Sequence, residues 1–263
     1  MMNLDLNGKT AVVCGSTQGI GKASAIQLAE QGANVILIAR NEDKLKSVLK
    51  ELATSNNQKH GYLVADFTKP EVLKSTLDQY IADNGTCHIL VNNSGGPKGG
   101  PIRDAEISEF YDAFTQHLIC NHILVKALYP LMKKNGYGRI INVISTSVKQ
   151  PLPNLGVSNT IRGAVANWSK TLATELAPFN ITVNNVLPGA TNTIRLQTIA
   201  ETKSAKTNDS VESIFAEMAS ESPMGRIAEP EETANVIAFL SSPAASYVNG
   251  INVPVDGGRT KSL

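Results

Sequence analysis

Cysteine is scarce in this sequence, with only three among 263 residues, an odd number that excludes a complete set of disulfide pairs. Cys14, Cys87 and Cys120 lie far apart and lack the paired spacing of a zinc site or a redox CxxC motif. We therefore expect buried thiols in a reducing compartment and no metal site.

Long apolar runs and an excess of charge of one sign are also missing. No window approaches the roughly 18 consecutive apolar residues of a membrane span, and the start, MMNLDLNGKT, has no apolar signal-peptide core. The 24 basic and 23 acidic side chains give a formal net charge of +1, which favours neither nucleic acid nor a membrane surface. We expect a cytoplasmic protein whose partners are a small-molecule substrate and further copies of itself.

The sequence does contain a regular alternation of short apolar runs and longer segments of helical period. The runs typical of buried strands are TAVVC, NVILIAR, GYLVADF, HILVNN, GRIINVIS, NITVNNVLPG and GINVPVDGG. This alternation predicts βαβ units and an α/β fold, namely a single doubly wound Rossmann-type domain over residues 1–263 with a mainly parallel sheet.

The segment 191–223 breaks this rhythm because it is polar and poor in aromatic residues. Segments of this length without strand or helix signals are usually functional lids or disordered. It directly follows the strand-end turn LPG, which favours a lid segment over disorder.

The stretch GSTQGIG follows the first predicted strand and opens a helix. Glycines at such a junction let the backbone turn tightly and approach a pyrophosphate held at the helix N-terminus. A plain strand-to-helix turn is the alternative, but the strand before and the helix after favour dinucleotide binding. The predicted cofactor contacts here are Gly15, Ser16, Thr17, Gln18, Gly19, Ile20 and Gly21.

The second predicted strand ends at Ala39 and Arg40, where an acidic residue would bind the ribose 2′-hydroxyl of NAD. An arginine suits a 2′-phosphate instead, so NADP is favoured and NAD remains possible. The alternative is a solvated surface arginine, since Gln18 in the glycine turn is not a second cation.

The order and spacing of GSTQGIG, VADF, VNNSGG, GRIINVIS and VNNVLPG resemble those of the short-chain dehydrogenase/reductase superfamily, from about Lys9 to Gly258. The C-terminal part is similar to bacterial 3-oxoacyl-acyl-carrier-protein reductases and to polyol or sugar dehydrogenases. The resemblance implies an NAD(P)-dependent oxidoreductase. It also implies that the helices NHILVKALYPLMKK and RGAVANWSKTLATELA, which carry surplus apolar surface, pair into a homodimer or homotetramer.

The resemblance implies further cofactor contacts along the chain. Asp66 and Phe67 would flank the adenine, and residues after the fourth strand would line the ribose and pyrophosphate. The implied set comprises Asp66, Phe67, Asn93, Ser94, Gly95, Arg162, Pro188, Gly189, Thr191 and Thr193.

The catalytic positions implied by the resemblance depart from the family pattern of Asn, Ser, Tyr and Lys. Ser145 keeps the family's serine. Ser158 and Arg162 stand where the tyrosine and lysine of YxxxK are usual, and His117 stands where the asparagine is usual. These four residues are the catalytic candidates.

Carbonyl reduction needs a proton at the oxygen, and a serine hydroxyl is far less acidic than a tyrosine. Arg162 stays charged, so it cannot relay a proton, but it can bind cofactor hydroxyls and hold positive charge beside an oxyanion. Because Ser158 and Arg162 are spaced i, i+4, they share one helix face, and we interpret them as a binding and electrostatic unit.

His117 is the candidate proton donor because imidazole titrates near neutrality. The alternative is a core or interface histidine on an apolar helix. Lys149 is a further candidate, although a lysine in a polar loop is usually solvated. His122 faces elsewhere, so no metal pair is indicated.

Two functions remain open at this point. The first is an NADP-preferring oxidoreductase acting on 3-oxoacyl thioesters, sugars or polyols, or cyclic ketones, with an atypical proton donor. The second is a dinucleotide-binding protein without ordinary redox turnover, either regulatory or of another enzyme class. The glycine turn and Ser145 favour the first, and the absent YxxxK favours the second.

Overall fold

The computed structural model describes residues 2–83 and 85–262, which contain one seven-stranded sheet flanked by helices. The strands run β1 Thr10–Cys14, β2 Asn34–Ala39, β3 Gly61–Val64, β4 Ile89–Asn92, β5 Gly138–Val143, β6 Ile181–Pro188 and β7 Asn252–Val255. Their order is β3-β2-β1-β4-β5-β6-β7, and every pairing between them is parallel. The predicted doubly wound α/β fold is confirmed, with each of the seven apolar runs forming one strand.

Helices cover both faces of the sheet. They are α1 Gly19–Glu30, α2 Glu42–Leu49, α3 Pro70–Ala82, α4 Ile107–Phe114, α5 Cys120–Asn135, α6 Gly156–Leu176, α7 Ile194–Thr207, α8 Val211–Ser220 and α9 Pro230–Ser241. Side chains alternate between the faces along each strand. Val13 therefore packs in the core with α1, α2 and α9, whereas its neighbour Val12 packs with α3, α5 and α6.

A row of buried asparagines crosses four adjacent strands. Asn92 donates to Asn142 at 2.8 Å, Asn142 donates to Asn185 at 3.1 Å, and Asn185 donates to Asn252 at 2.8 Å. These residues are also the register partners of β4, β5, β6 and β7. Because a buried amide without a partner costs about 1–3 kcal/mol, a shift in register would be penalised at each step.

The segment 191–223 forms two helices rather than an irregular lid. Thr193 caps α7 by accepting the Leu196 amide at 3.3 Å, and Ser210 caps α8 by accepting the Ser213 amide at 3.1 Å. The sequence analysis missed both helices. The apolar period of α7 is weak, whereas α8 carries Val211, Ile214, Phe215 and Met218 at helical spacing inside a segment of polar composition. The N-terminal turn of α7 lies over the sheet edge where β1, β4, β5 and β6 end.

The three cysteines are free and buried, as predicted. Burial raises the thiol pKa of Cys14, Cys87 and Cys120, which keeps them protonated and unreactive. Within the described ranges, no helix combines the length and hydrophobicity needed to cross a membrane.

The helices α5 and α6, on which surplus apolar surface is expected, carry several half-buried large apolar side chains, namely Ile123, Tyr129, Leu131, Trp168 and Leu172. Among the described residues, neither helix carries a fully exposed one. The exposed ones nearest in the chain are Ile107, Tyr111 and Phe114 of α4, followed by Ile119 in the π-helical turn Thr115–Ile119 that joins α4 to α5. Pairing through α5 and α6 therefore stays a prediction.

Candidate active site

A cleft of about 720 Å³ lies at the carboxyl ends of the strands. Its walls come from the turns that follow β1 to β6, and it spans the gap between β1 and β4, where the strand order reverses direction. Open α/β sheets bind ligands at such a switch point, and the volume falls within the range of small-molecule sites.

The glycine turn after β1 forms one wall. Gly15 has a positive φ of 58°, and a Cβ on it would lie 2.8 Å from the side-chain Nδ2 of Asn93. Asn93 Nδ2 in turn donates to the carbonyl oxygens of Cys14 and Gly15, each at 3.4 Å. Helix α1 begins at Gly19 without a side-chain cap from Gln18, so its first amides are available to an anion.

Two residues of the predicted turn lie behind the wall rather than on it. Ser16 is fully buried, and its hydroxyl donates to the carbonyl of Ile38 at 3.4 Å. Gly21 lies against the turn backbone, where a Cβ would come within 2.2 Å of the Gly15 carbonyl oxygen. Ser16 and Gly21 therefore fix the turn against β2 and α1, and they do not line the cleft.

Basic side chains rim the cleft where β2 ends. Arg40 is exposed and lines this end together with Lys44, which α2 supplies from its first turn. Asn41 fixes that turn by accepting the Lys44 amide at 2.9 Å. Lys44 is the second cation that the glycine turn lacks. It was missed because it lies five residues beyond Ala39, where β2 ends.

An acidic residue follows β3 at the same end. Asp66 accepts the Thr68 amide at 3.0 Å. This hydrogen bond above all, with smaller contributions from Arg40 and Lys69, holds the pKa of the Asp66 carboxyl below its usual range. Asp66 is therefore an anion at neutral pH, and Phe67 beside it also lines the cleft.

Ser145, Ser158 and Arg162 line the opposite end. Ser145 follows β5, and its Oγ accepts the Ser147 amide at 3.1 Å, which leaves the hydroxyl proton free to donate. Ser158 and Arg162 project from the first turns of α6, as their i, i+4 spacing predicts. The structure thus brings these three candidates together around one space.

Arg162 is 8% exposed and has few partners for a buried cation. Its Nη1 donates to the Val143 carbonyl at 3.3 Å, while its Nε is buried without a hydrogen-bond partner among the described residues. Burial first, and then the charge of Arg195, lower the pKa of the guanidinium to about 10, so it remains a cation at neutral pH. A buried donor without a partner at a cleft wall suits a bound ligand.

Arg195 is a site residue that the sequence analysis missed. It lies in the first turn of α7, and its Nη2 donates to the Pro97 carbonyl at 2.5 Å. The guanidinium also covers Gly96, whose Cβ position would lie 3.3 Å from the Arg195 Nε. The signal for it was a basic residue two positions after the expected cofactor contact Thr193, inside the segment interpreted as a lid.

His117 does not line the cleft. It is 1% exposed in the π-helical turn between α4 and α5, and its Nδ1 lies 2.7 Å from the Ser94 hydroxyl oxygen. Burial, Arg162 and Arg195 lower its pKa well below the usual range. Burial and the two arginine charges disfavour the imidazolium, which favours the alternative of a core histidine over that of a proton donor.

The remaining predicted contacts fall on the cleft wall. They are Thr17, Ile20, Ser94, Gly95, Pro188, Gly189, Thr191 and Thr193. One feature of this wall fits a dinucleotide. A Cβ at Gly95 would meet no atom within 4 Å, so the backbone there is open to a ligand.

Comparisons with known proteins agree with this geometry. The family model described as enoyl-(acyl carrier protein) reductase matches residues 15–260. The NADPH-dependent reductase BacG of Bacillus subtilis is 33% identical over 259 residues, covering 98% of this chain and 100% of that protein. The 3-oxoacyl-(acyl-carrier-protein) reductase FabG of Aquifex aeolicus is 32% identical over 260 residues, covering 98% of this chain and 99% of that protein.

The chain is also similar in fold to solved reductase structures. L-sorbose reductase from Gluconobacter frateurii, in complex with NADPH and L-sorbose, superposes with a TM-score of 0.92 at 32% identity. The superposition covers 100% of both chains. Likeness in sequence and in fold therefore extends over nearly the whole chain.

Proposed function

The chain belongs to the short-chain dehydrogenase/reductase superfamily, and from this premise we propose an NADP-preferring oxidoreductase that interconverts a carbonyl and a secondary alcohol. One observation carries the proposal. A single cleft has a glycine turn and two basic side chains, Arg40 and Lys44, at one end and Ser145 with Arg162 at the other. The candidate substrates are 3-oxoacyl thioesters, sugars or polyols, and cyclic ketones.

The proposed cofactor contacts follow the length of the cleft. The uncapped first turn of α1 binds the pyrophosphate, and Arg40 with Lys44 bind the 2′-phosphate. Asp66 and Phe67 flank the adenine, while Thr193 and Arg162 bind the nicotinamide end. When bound, NADPH supplies a hydride to the electrophilic carbon of the substrate.

The oxygen of the substrate gains negative charge in this reaction. Ser145 donates its hydroxyl proton in a hydrogen bond to that oxygen, since its own acceptor role is taken by the Ser147 amide. Arg162 supplies a fixed positive charge at the same end of the cleft, where low solvent access strengthens the interaction. Ser158 contributes a neutral hydrogen bond.

The proton for the oxygen comes from water in the cleft. His117 is neutral and buried, and a serine hydroxyl holds its proton too tightly to act as an acid. Stabilising the oxyanion by fixed charge until water protonates it needs no side-chain acid. This is the atypical proton donor that replaces the family's tyrosine.

A second candidate function is reduction of a carbon–carbon double bond conjugated to a carbonyl. A site with a fixed positive charge and no side-chain acid favours this reaction. When hydride attacks the β-carbon, the negative charge develops on the oxygen of an enolate. An enolate is less basic than an alkoxide and needs no immediate proton at oxygen. Arg162 and Ser145 stabilise the enolate, and water later protonates the α-carbon.

A screen of purified protein separates these functions. NADPH and NADH consumption is followed with 3-oxoacyl thioesters, sugars, cyclic ketones and matched cyclic enones. Turnover of ketones with NADPH supports the first function, and turnover restricted to enones supports the second. NADPH binding without turnover of any member contradicts both and indicates a dinucleotide-binding protein of another kind.

A further inference from the structure

We propose that the cleft binds a substrate bearing a carboxylate near its reducible group, held by Arg195 with the help of Arg162. The inference deepens the function proposed above, on which it rests, by naming the substrate class of the same site. It begins from two arginines, on α6 and α7, that line one end of one cleft.

Neither arginine has an acidic partner in residues 2–83 and 85–262. The ion pairs of this part of the chain involve other residues, and the one acidic side chain lining the cleft is Asp66, which follows β3 at the other end. Both guanidinium groups line the same cleft, and the charge of Arg195 adds to burial in lowering the pKa of Arg162. Like charges that have lost part of their hydration repel, and an anion bound between them offsets that repulsion.

The available donors suit a planar carboxylate. Arg162 keeps a buried Nε without a protein partner, and Arg195 uses Nη2 to hold the Pro97 carbonyl. A guanidinium presents its donors in a fork that matches the two oxygens of a carboxylate. Because Pro97 fixes Arg195, little side-chain entropy is lost when the anion binds.

The cofactor phosphates do not account for this pair. The glycine turn meets the start of the α7 segment at Thr193, whose Cγ2 would lie 3.0 Å from a Cβ on Gly19. Arg195 is two residues further on and lies over Gly96 and Pro97. Arg195 and Arg162 both line the cleft, and Arg162 lies with Ser145 at the end opposite Arg40. The carboxylate therefore sits close to the carbonyl that Ser145 binds.

Calorimetric titration of the NADP⁺-loaded protein tests the proposal without requiring turnover. The probes are oxalate, malonate, succinate and benzoate, each compared with its neutral amide. We expect at least one carboxylate to bind with a Kd below about 1 mM and its amide to bind at least about tenfold more weakly. Arg195→Gln should weaken the carboxylate at least about tenfold, whereas Arg195→Lys should retain part of the affinity.

Arg103→Gln is the matched control, because Arg103 is an exposed arginine that does not line the cleft. The proposal is overturned if no carboxylate binds the loaded protein, if Arg195→Gln leaves the Kd unchanged, or if the carboxylates bind only in competition with NADP⁺. The last result would assign the pair to cofactor phosphates. Carboxylate binding together with no turnover of ketones and enones that carry a carboxylate would instead sink the proposed function and leave the carboxylate site standing.

Discussion

The Ser94 hydroxyl oxygen lies 2.7 Å from Nδ1 of His117, and this hydrogen bond ties the loop after β4 to the π-helical turn between α4 and α5. His117 stands at the family's asparagine position but is buried behind the cleft wall, beside two arginines. A neutral imidazole in this position braces the wall, and its one N–H is too weak an acid to protonate an oxyanion at neutral pH.

We accordingly predict that His117 does not titrate between about pH 6 and pH 8. The measurement is a pH titration of the imidazole C–H resonances by NMR, with His117→Asn identifying the signal of His117 among the four histidines. A midpoint near the ordinary value of about 6.5 would show that the arginines do not disfavour the charged form. His117 would then return as a candidate acid.

We predict that Arg40 and Lys44 make the protein bind NADPH more tightly than NADH. Arg40→Ala should weaken NADPH by about 1–3 kcal/mol and leave NADH nearly unchanged, because only NADPH carries the 2′-phosphate. Lys44→Gln should have a smaller effect in the same direction. Lys46→Gln is the control on the same helix, since Lys46 pairs with Glu42 and does not line the cleft. Equal losses for both cofactors on fluorescence titration would refute the assignment.

We predict that protonation of His88 lowers the free energy of unfolding in mild acid. Its Nδ1 accepts the Thr10 amide at 3.0 Å, and burial, followed by Lys9, lowers its pKa to about 4. The unfolded chain, with an ordinary pKa of about 6.5, binds this proton more readily, so stability is complete above that pH and is lost as pH falls towards 4.

Since His88 is only half buried, the loss should reach about 1–2 kcal/mol at most. Urea unfolding at pH 7 and pH 5 measures it, and His88→Gln should reduce the difference between the two pH values. His122→Gln, at an exposed histidine of α5, is the matched control. An unchanged pH dependence in His88→Gln would remove His88 as the cause.

Assembly remains a prediction that solution measurements can test. Ile107 and Tyr111 are 72% and 71% exposed on one side of α4, and with Phe114 they form an apolar stripe that water covers poorly. We expect dimers or tetramers by sedimentation equilibrium at micromolar concentration. Tyr111→Glu should shift the distribution to smaller species, and Val72→Glu on α3 should not. A wild-type monomer would contradict the prediction.

Most of the fold was predictable because each strand corresponds to a short apolar run in the sequence, between two segments of helical period. The same regularity located the cleft, since turns after parallel strands meet at one edge. The glycine turn and Arg40 follow from this rule, since they lie at the ends of β1 and β2. Asp66, Phe67, Asn93, Ser94, Gly95 and Ser145 were implied by the family resemblance and not by the rule.

The remainder depends on packing that sequence spacing does not encode. Lys44 and Arg195 reach the cleft from first turns of helices, where the direction of the side chain depends on the angle of the helix to the sheet. The burial of His117 and its two cationic neighbours come from separate elements, which the sequence of one helix does not show. Helix α7 was missed because its apolar period is weak, and α8 was missed because the polar composition of the whole segment outweighed the apolar residues that it carries at helical spacing.

We propose above all that Ser158 and Arg162 form a binding and electrostatic unit and not an acid–base pair. The decisive measurement is NADPH titration together with turnover, on the best substrate from the screen, for Ser158→Ala and Arg162→Ala, with Arg162→Lys as the conservative match. Arg162→Ala should weaken NADPH binding and turnover together, because one side chain holds both the cofactor and the oxyanion.

Ser158→Ala should cost no more than a hydrogen bond of about 1 kcal/mol, roughly fivefold, in either quantity. A loss of about 10²- to 10⁴-fold in kcat for Ser158→Ala alone, with NADPH affinity preserved, would identify Ser158 as the acid and contradict this account.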